Sequence, residues 1–295
     1  MAQHTTSDSR CVLFDDQSAT RAAFDTNFDQ KPFLFHHKLH EHPLLGFPAL
    51  KVLAERIARA EKPRGFFRLS GDKLDNRWGT GEFQKALNEA FENIEQSKMR
   101  MKLSDVNSEP EYSALLADCT RELSELAGVD LNREYRHPRA TLFITSPNEV
   151  TPFHVDSETN FLLQIYGTKV MYVFDQADRE LLTWQELENY WHGDGHIRLR
   201  DGFQSRSIPF ELKPGLGVHN PVHFPHWVQN GPSPSVSLSL GFTRRHDPED
   251  VLFFNHFLRK LGVEPTPPGE RKKLDVAKTV VVGGARSLKR LVKSA

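Results

Sequence analysis

The sequence predicts a mainly β core with helical additions on both sides. Two observations indicate this: apolar residues recur at strand-like spacing from residue 140 onward, and at helical spacing before that point. Turn-forming Pro, Gly, Asn and Asp residues separate the strand-like runs, as expected for consecutive strands of a sheet. The predicted strands are TLFIT, NFLLQIYG, KVMYVF, the run around GVHNPV, HWVQN and SVSLSLGF.

Helices are predicted before, between and after these strands. Pro48 suits the first turn of one helix, and a second is predicted around Phe83. The third has the clearest helical period and ends before Gly128, since glycine is favoured just after a helix. Two more are predicted, one near residues 181–190 and one that opens at the N-cap residue Asp247.

Composition argues against several classes of protein. Thirty-eight basic and 39 acidic residues give a net charge of −1, so no overall field would attract nucleic acid or an anionic membrane. No run approaches the roughly 18 apolar residues of a membrane span, and the first ten residues lack the apolar segment of a secretory signal. The two cysteines, Cys11 and Cys119, form no disulfide framework, which fits a reducing compartment. We therefore expect a soluble, cytoplasmic protein.

A candidate metal site begins at His154. His154 and Asp156 are two residues apart, so in a strand both side chains leave by the same face and can bind one small cation. By itself this pair also fits a hydrogen-bonded surface pair. The downstream candidates for a third ligand are His219, His223 and His226. We select His226, because it opens the strand-like run HWVQN and a barrel strand can bring it beside His154.

The other two downstream histidines have a different expected place. His219 and His223 flank Pro221 on a less regular stretch, so we expect them to support the site or line its pocket. Two histidines and one carboxylate on one face leave half of an octahedral iron open for other ligands. The predicted ligand set is therefore His154, Asp156 and His226.

Lys169 indicates an anion in the same cavity. A buried lysine that faces into a barrel needs a negative partner, and a dicarboxylate that chelates iron at one end presents its far carboxylate to such a charge. Thr151 can add a hydroxyl there, and Asn160 can donate an amide at the chelating end. Each residue alone also has an ordinary interpretation: Lys169 as an edge-strand charge, Thr151 as a turn residue and Asn160 as a bulge.

Four motifs carry a resemblance to a known family. They are Thr151-Pro152-x-His154-x-Asp156, Asn160-Phe161, Gln164-Ile165-x-Gly167-x-Lys169 and the distal PHWVQN, which contains His226. With these motifs the chain resembles, over roughly residues 138–245, the jumonji C and cupin-like iron and 2-oxoglutarate oxygenases. The resemblance is to the branch that contains the asparaginyl hydroxylase of hypoxia-inducible factor.

The resemblance implies a double-stranded β-helix, or jelly roll, with N-terminal helices and a C-terminal helical segment. It implies His154, Asp156 and His226 as Fe(II) ligands and Thr151, Asn160 and Lys169 as contacts of the co-substrate 2-oxoglutarate. The corresponding regions are 1–137, a helical and mixed region that packs on the barrel; 138–245, the catalytic core; and 246–295, a C-terminal helix and basic tail.

The sequence departs from the family pattern at two places near the site. The tyrosine that commonly assists the lysine has no clear counterpart, and the upstream segment KMRMKLSD offers cations instead. Gly241 stands where some members have an asparagine. The contacts of the co-substrate are therefore less fixed by the motifs than the metal ligands are.

The expected function is an Fe(II)- and 2-oxoglutarate-dependent hydroxylase. Oxidative decarboxylation of 2-oxoglutarate with dioxygen would be coupled to hydroxylation of an unidentified peptide, protein side chain or small molecule. One alternative is a cupin-type metal enzyme without the co-substrate, and another is a metal-free or metal-binding barrel that binds a ligand as a regulator. Neither a membrane nor a nucleic acid is an expected partner. A homodimer through the C-terminal helices is predicted.

Overall fold

The structure, a computed structural model, describes residues 13–15, 18–59, 64–69, 73–193, 197–245 and 248–293, with the side chains of 285 and 287–293 excepted. Cys11 and the predicted N-cap Asp247 lie outside the described residues. The described residues form eleven strands: β1 (Phe33–His36), β2 (Gly65–Arg68), β3 (Arg100–Leu103), β4 (Tyr135–Thr145), β5 (Val150–His154), β6 (Thr159–Tyr166), β7 (Lys169–Val173), β8 (Ile208–Leu212), β9 (Leu216–Asn220), β10 (His226–Asn230) and β11 (Ser235–Arg244).

The same residues form eight α-helices, and each of the five predicted helices has a counterpart among them. The third predicted helix ends as expected, since Gly128 adopts a left-handed φ of 65° at its C-terminus. The helices are α1 (Ser18–Asn27), α2 (Phe47–Arg59), α3 (Gly81–Glu92), α4 (Pro110–Ala127), α5 (Leu131–Glu134), α6 (Trp184–His192), α7 (Glu249–Lys260) and α8 (Lys272–Lys293).

The strands make two antiparallel sheets. The larger sheet has the order β1-β9-β6-β11-β4-β3-β2, and the smaller has the order β5-β10-β7-β8. From β4 to β11 the chain passes back and forth between the two sheets and contributes four strands to each. This is a double-stranded β-helix, and the predicted fold class is confirmed.

The larger sheet contains three more strands, β1, β2 and β3, in addition to its four strands from β4 to β11. β1 pairs with β9 at one edge of the sheet. At the other edge β3 pairs with β4, and β2 pairs with β3 as the outermost strand. All three precede residue 138, so the N-terminal region supplies strands as well as helices. The division of the chain into three regions at residues 137 and 245 stays a prediction.

The larger sheet buries its apolar face beneath the N-terminal helices. Phe161 of β6 and Leu238 of β11 lie on this face and are almost fully buried. Phe24 of α1 stacks on Phe161 with ring centroids 6.2 Å apart, so the first helix closes the core over the sheet. Because side chains alternate across a strand, the opposite face of β6 and β11 points toward the smaller sheet.

That opposite face is polar and partly filled by its own hydrogen bonds. The amide of Gln164 donates to Ser235 Oγ at 3.0 Å, and Ser237 Oγ donates to Gln164 Oε1 at 2.7 Å. These bonds satisfy the buried polar groups at one end of the space between the sheets. A cavity remains farther along the same strands. None of the described helices is long and apolar enough to cross a lipid bilayer.

Candidate metal centre

The cavity between the two sheets has a volume of about 110 Å³. The predicted site residues all line it, namely Thr151, His154, Asp156, Asn160, Lys169 and His226. The strand pairing explains how residues distant in sequence meet, since β10 lies between β5 and β7 in the smaller sheet. His226 of β10 is directly opposite His154 of β5, and Asn230 at the far end of β10 is opposite Lys169 of β7.

His154, Asp156 and His226 meet at one end of this cavity. Nε2 of His154 lies 3.7 Å from Oδ1 of Asp156, and Nε2 of His226 lies 3.7 Å from Oδ2 of the same carboxylate. Each residue offers one ligand atom, and these atoms lie within 4.8 Å of one another. Among the residues that the structure describes, this is the one group of three or more such side chains placed to hold a metal ion.

Both imidazoles are oriented by backbone carbonyl groups. Nδ1 of His154 lies 2.8 Å from the Pro152 carbonyl oxygen, and Nδ1 of His226 lies 3.0 Å from that of Phe224. A carbonyl only accepts hydrogen bonds, so the hydrogen-bond network places the proton on Nδ1 in each ring. The Nε2 lone pairs are then free to face the Asp156 carboxylate, which is the orientation of metal-binding histidines.

Burial keeps the His226 ring neutral. Loss of solvation lowers the pKa of His226 to about 4, and the neighbouring His154 lowers it further while Asp156 opposes the shift. A metal ligand must offer an unprotonated nitrogen, so a ring that is neutral at pH 7 binds a cation without first releasing a proton.

Asp156 lies just beyond the end of β5 rather than within the strand. β5 ends at His154, two residues before Asp156. A backbone contact with His223 holds Asp156 in place. The His223 backbone N–H donates to the Asp156 carbonyl oxygen at 3.2 Å, and His223 adopts a left-handed φ of 66° there. The side chain of His223 accepts a hydrogen bond from Trp191 Nε1 of α6 at 2.9 Å. His223 therefore supports the aspartate, as expected.

His219 has a different place. Its Nε2 accepts a hydrogen bond from the Asp29 backbone N–H at 3.0 Å, and its ring packs among Phe28, Phe33 and Phe161 on the apolar side of the larger sheet. The side chain is fully buried there. His219 ties the N-terminal segment to the sheet and does not line the cavity, which differs from the expectation that it belongs to the pocket.

Lys169 lies at the other end of the cavity. Its side chain is 7% exposed, and no hydrogen bond or ion pair from it to any described residue is found. Burial lowers the pKa of Lys169 to about 7, and the positive charge of Arg100 adds to the shift. A buried ammonium group without a partner is costly, so this end of the cavity favours an anionic ligand.

The two predicted polar contacts lie between these ends. Thr151 Oγ1 accepts a hydrogen bond from Arg100 Nη2 at 3.4 Å. The Asn160 amide donates to Ser239 Oγ at 2.7 Å, and an NH₂ group has a second hydrogen for another acceptor. Both side chains can therefore meet a ligand while they keep the bonds that orient them.

Glu158 was not among the predicted site residues, although it lines the same cavity. Its carboxylate accepts a hydrogen bond from Arg139 Nη2 at 2.9 Å, and burial raises its pKa. A Cβ at Gly241 would lie 2.5 Å from the Glu158 carboxyl carbon, so the absence of a side chain at 241 leaves the space that Glu158 fills. Glu158 is two residues after Asp156, and residues with this spacing in an extended segment point to the same side. This spacing is visible in the sequence.

The link from Trp191 to His223 predicts an effect on metal affinity. Trp191→Phe keeps an aromatic ring in α6 but removes the N–H that holds His223, whose backbone supports Asp156. We expect the Co(II) affinity to fall about tenfold, as for other groups that orient a metal ligand. Calorimetric titration with Co(II) measures this. Trp184→Phe on the same helix is the matched control, and equal affinities for the two variants would contradict the prediction.

Comparisons with known proteins give a fold similarity. No protein-family model and no curated protein matches the chain. The crystal structure of the Escherichia coli ribosomal oxygenase YcfD has a TM-score of 0.49 and 13% identity, and the match covers 91% of this chain and 66% of that one. A structure of YcfD in complex with cobalt and 2-oxoglutarate has a TM-score of 0.49 and 14% identity, with coverages of 85% and 59%.

A YcfD structure with cobalt and succinic acid gives similar values, namely a TM-score of 0.48, 15% identity and coverages of 88% and 64%. The chain thus spans about three fifths to two thirds of the length of these three structures. Similarity this low does not assign a function to the chain. The functional proposal below therefore depends on the cavity and its residues.

Proposed function

We propose that the protein is an Fe(II)- and 2-oxoglutarate-dependent oxygenase of the jumonji C and cupin-like kind. One observation carries the proposal: the same cavity is lined by a cluster of two imidazoles and one carboxylate and by a buried lysine that has no partner among the described residues. A metal site alone would not require the lysine, and an anion site alone would not require the cluster.

The cluster fits a divalent iron ion. His154 and His226 are oriented as nitrogen donors, and Asp156 supplies an oxygen donor between them. Two neutral nitrogens and one carboxylate suit Fe(II), and three ligands on one side leave positions open for a 2-oxo acid and dioxygen. An iron ion bound there would supply the activation of dioxygen that neither the side chains nor the co-substrate provides.

The lysine end fits a dicarboxylate. 2-Oxoglutarate has a 2-oxo acid group that chelates a metal and a far carboxylate that would meet Lys169. Asn160 would donate to the chelating end, and Thr151 would donate to the far end. A cupin-type enzyme that uses the metal alone leaves Lys169 unexplained, so the co-substrate-dependent function is preferred.

The reaction balances with one dioxygen. 2-Oxoglutarate and dioxygen give succinate and carbon dioxide, and a C–H group of the substrate gains one oxygen atom as a hydroxyl. The residues of the chain bind and orient the reactants, while Leu162, Met171 and Val228 give the cavity apolar walls that limit the access of water.

Finer statements about this function are proposals that follow from the family resemblance. They include hydroxylation of a peptide, protein side chain or small molecule, the branch of the asparaginyl hydroxylase, and a cytoplasmic location. Dimerisation through α7 and α8 is a further proposal. It is supported by exposed apolar residues, including Leu261 directly after α7 at 79% exposure and Val280 of α8 at 68%.

Succinate formation tests the proposed function. Purified protein is loaded with Fe(II) and 2-oxoglutarate without oxygen, oxygen is then admitted, and succinate is measured over time. We expect succinate only when metal, co-substrate and oxygen are all present, at a slow rate because the prime substrate is absent. Protein without Fe(II) is the control. Failure to bind both Fe(II) and 2-oxoglutarate in calorimetric titrations would contradict the proposal, whatever the turnover rate.

A further inference from the structure

A second cation lies beside Lys169. Arg100 lines the same cavity and extends from β3, where its strand partner is Thr145 of β4. Its positive charge contributes to the lowered pKa of Lys169, second to burial. Arg100 itself is held in place by two hydrogen bonds, from Nη1 to the Val150 carbonyl oxygen at 3.0 Å and from Nη2 to Thr151 Oγ1 at 3.4 Å.

Neither Arg100 nor Lys169 forms an ion pair with a carboxylate within the described residues. Both acceptors of Arg100 are uncharged, and Glu149, the carboxylate nearby, forms an ion pair with Arg68. Glu149 also attracts Arg100, whereas Lys169 has no ion-pair partner among the described residues. Two like charges beside a low-dielectric cavity repel each other, so an anion between them would relieve the repulsion.

The guanidinium of Arg100 can still donate to a ligand. It carries five N–H donors in a planar fork, and the bonds to Val150 and Thr151 use two of them. Such a fork matches the geometry of a carboxylate better than a second ammonium group would. Arg100 also holds the Thr151 hydroxyl, which lines the same cavity.

We propose that Arg100 and Lys169 bind the far carboxylate of the co-substrate between them, with Thr151 as a third donor. This inference rests on the proposed function and adds a residue that the family motifs do not contain. It follows that the cavity selects 2-oxo acids that end in a carboxylate over those that end in a methyl group.

Two 2-oxo acids separate the far contact from the metal contact. Affinities of the Co(II)-loaded protein for 2-oxoglutarate and for 2-oxopentanoate, which has a methyl group in place of the far carboxylate, are measured by calorimetry without oxygen. Arg100→Gln is expected to weaken 2-oxoglutarate binding about 10- to 100-fold, the range for a hydrogen bond to a charged group, and to change 2-oxopentanoate binding less than about twofold.

Lys102→Gln is the matched control. Lys102 lies on the same strand and lines the same cavity, but its charge interacts with Glu158 rather than with Lys169. We expect the affinity of Lys102→Gln for both acids to stay within about twofold of the unmodified protein, because a charge that makes no direct contact is screened. Arg100→Lys, which keeps the charge but loses the fork, is expected to show a smaller loss, for 2-oxoglutarate alone.

Each outcome has a distinct meaning. Unchanged 2-oxoglutarate affinity in Arg100→Gln overturns the inference and leaves the proposed function standing. So does an equal loss for both acids, or a loss in Lys102→Gln as large as that in Arg100→Gln. If the unmodified Co(II) protein binds no 2-oxoglutarate, the proposed function fails and the inference fails with it. Thermal unfolding of each variant, and an unchanged Co(II) affinity, confirm that the fold and the metal end are intact.

Discussion

Asp156→Ala is expected to reduce the affinity for Fe(II), and for Co(II) as a surrogate, by more than about 100-fold. The carboxylate faces Nε2 of both histidines at 3.7 Å and is the only oxygen donor of the three-residue cluster. Without it two neutral nitrogens remain, and they provide neither the third ligand nor the negative charge that a divalent cation needs. Anaerobic calorimetry or the visible absorption of bound Co(II) measures the loss.

Glu158→Gln provides the control for this substitution. Glu158 is a second carboxylate in the same cavity, two residues after Asp156, but it is hydrogen-bonded to Arg139 and is not a member of the metal-binding cluster. The Glu158→Gln variant should bind Co(II) within about threefold of the unmodified protein, because only the field of a more distant charge changes. Metal affinity that survives Asp156→Ala, or that falls equally in both variants, would show that the cluster does not hold the metal.

Much of the candidate site was predictable because strands obey simple rules. The alternation of polar and apolar residues along β11 and β6 follows from the pleat of a sheet with one apolar face, and it is visible in the sequence. The selection of His226 over His219 and His223 depended on strand character, but His219 also lies in a strand, β9, where its ring packs against Phe161 on the apolar side of the sheet. His226 is the direct partner of His154 across β5 and β10, so the strand register rather than strand character alone separates it from His219.

Other features of the site depend on tertiary contacts that have no local sequence signal. β3 has four residues and alternates Arg100 and Lys102 with apolar positions, a pattern that an exposed segment shares. Its role in the cavity follows only from its pairing with β4, which brings Arg100 opposite Thr145. The support of Asp156 by His223 likewise needs a left-handed residue and a tryptophan from α6, 32 residues away from His223.

The departures from the family pattern have local explanations in the structure. A side chain at 241 would collide with Glu158, so glycine and glutamate at these positions are coupled. The cations of the segment KMRMKLSD include Arg100, whose charge reaches Lys169. Both departures therefore change the chemistry of the cavity wall and leave the cluster of His154, Asp156 and His226 unaltered.

Lys169→Ala is expected to weaken 2-oxoglutarate binding by roughly 3 kcal/mol or more, a loss of about 100-fold or more in affinity, because a desolvated carboxylate would lose the ammonium group that pairs with it. Calorimetry with the Co(II)-loaded protein measures this change. Lys213→Ala is the matched control, since Lys213 is exposed and adjacent to Leu212, the strand partner of Lys169. Undiminished affinity in Lys169→Ala would show that the far carboxylate is bound elsewhere.

The pH dependence of binding gives an independent test of the same contact. Because burial and Arg100 lower the pKa of Lys169 to about 7, roughly half of the free protein carries a neutral Lys169 at pH 7. A bound carboxylate stabilises the charged form, so binding takes up a proton above pH 7 and none well below it. The 2-oxoglutarate affinity should therefore be constant at low pH and fall by about tenfold per unit as the pH rises above 7. This slope should vanish in Lys169→Ala and for 2-oxopentanoate, since neither system has both partners of the ion pair. A slope that persists in Lys169→Ala would assign the proton to another group and remove the lysine from the binding site.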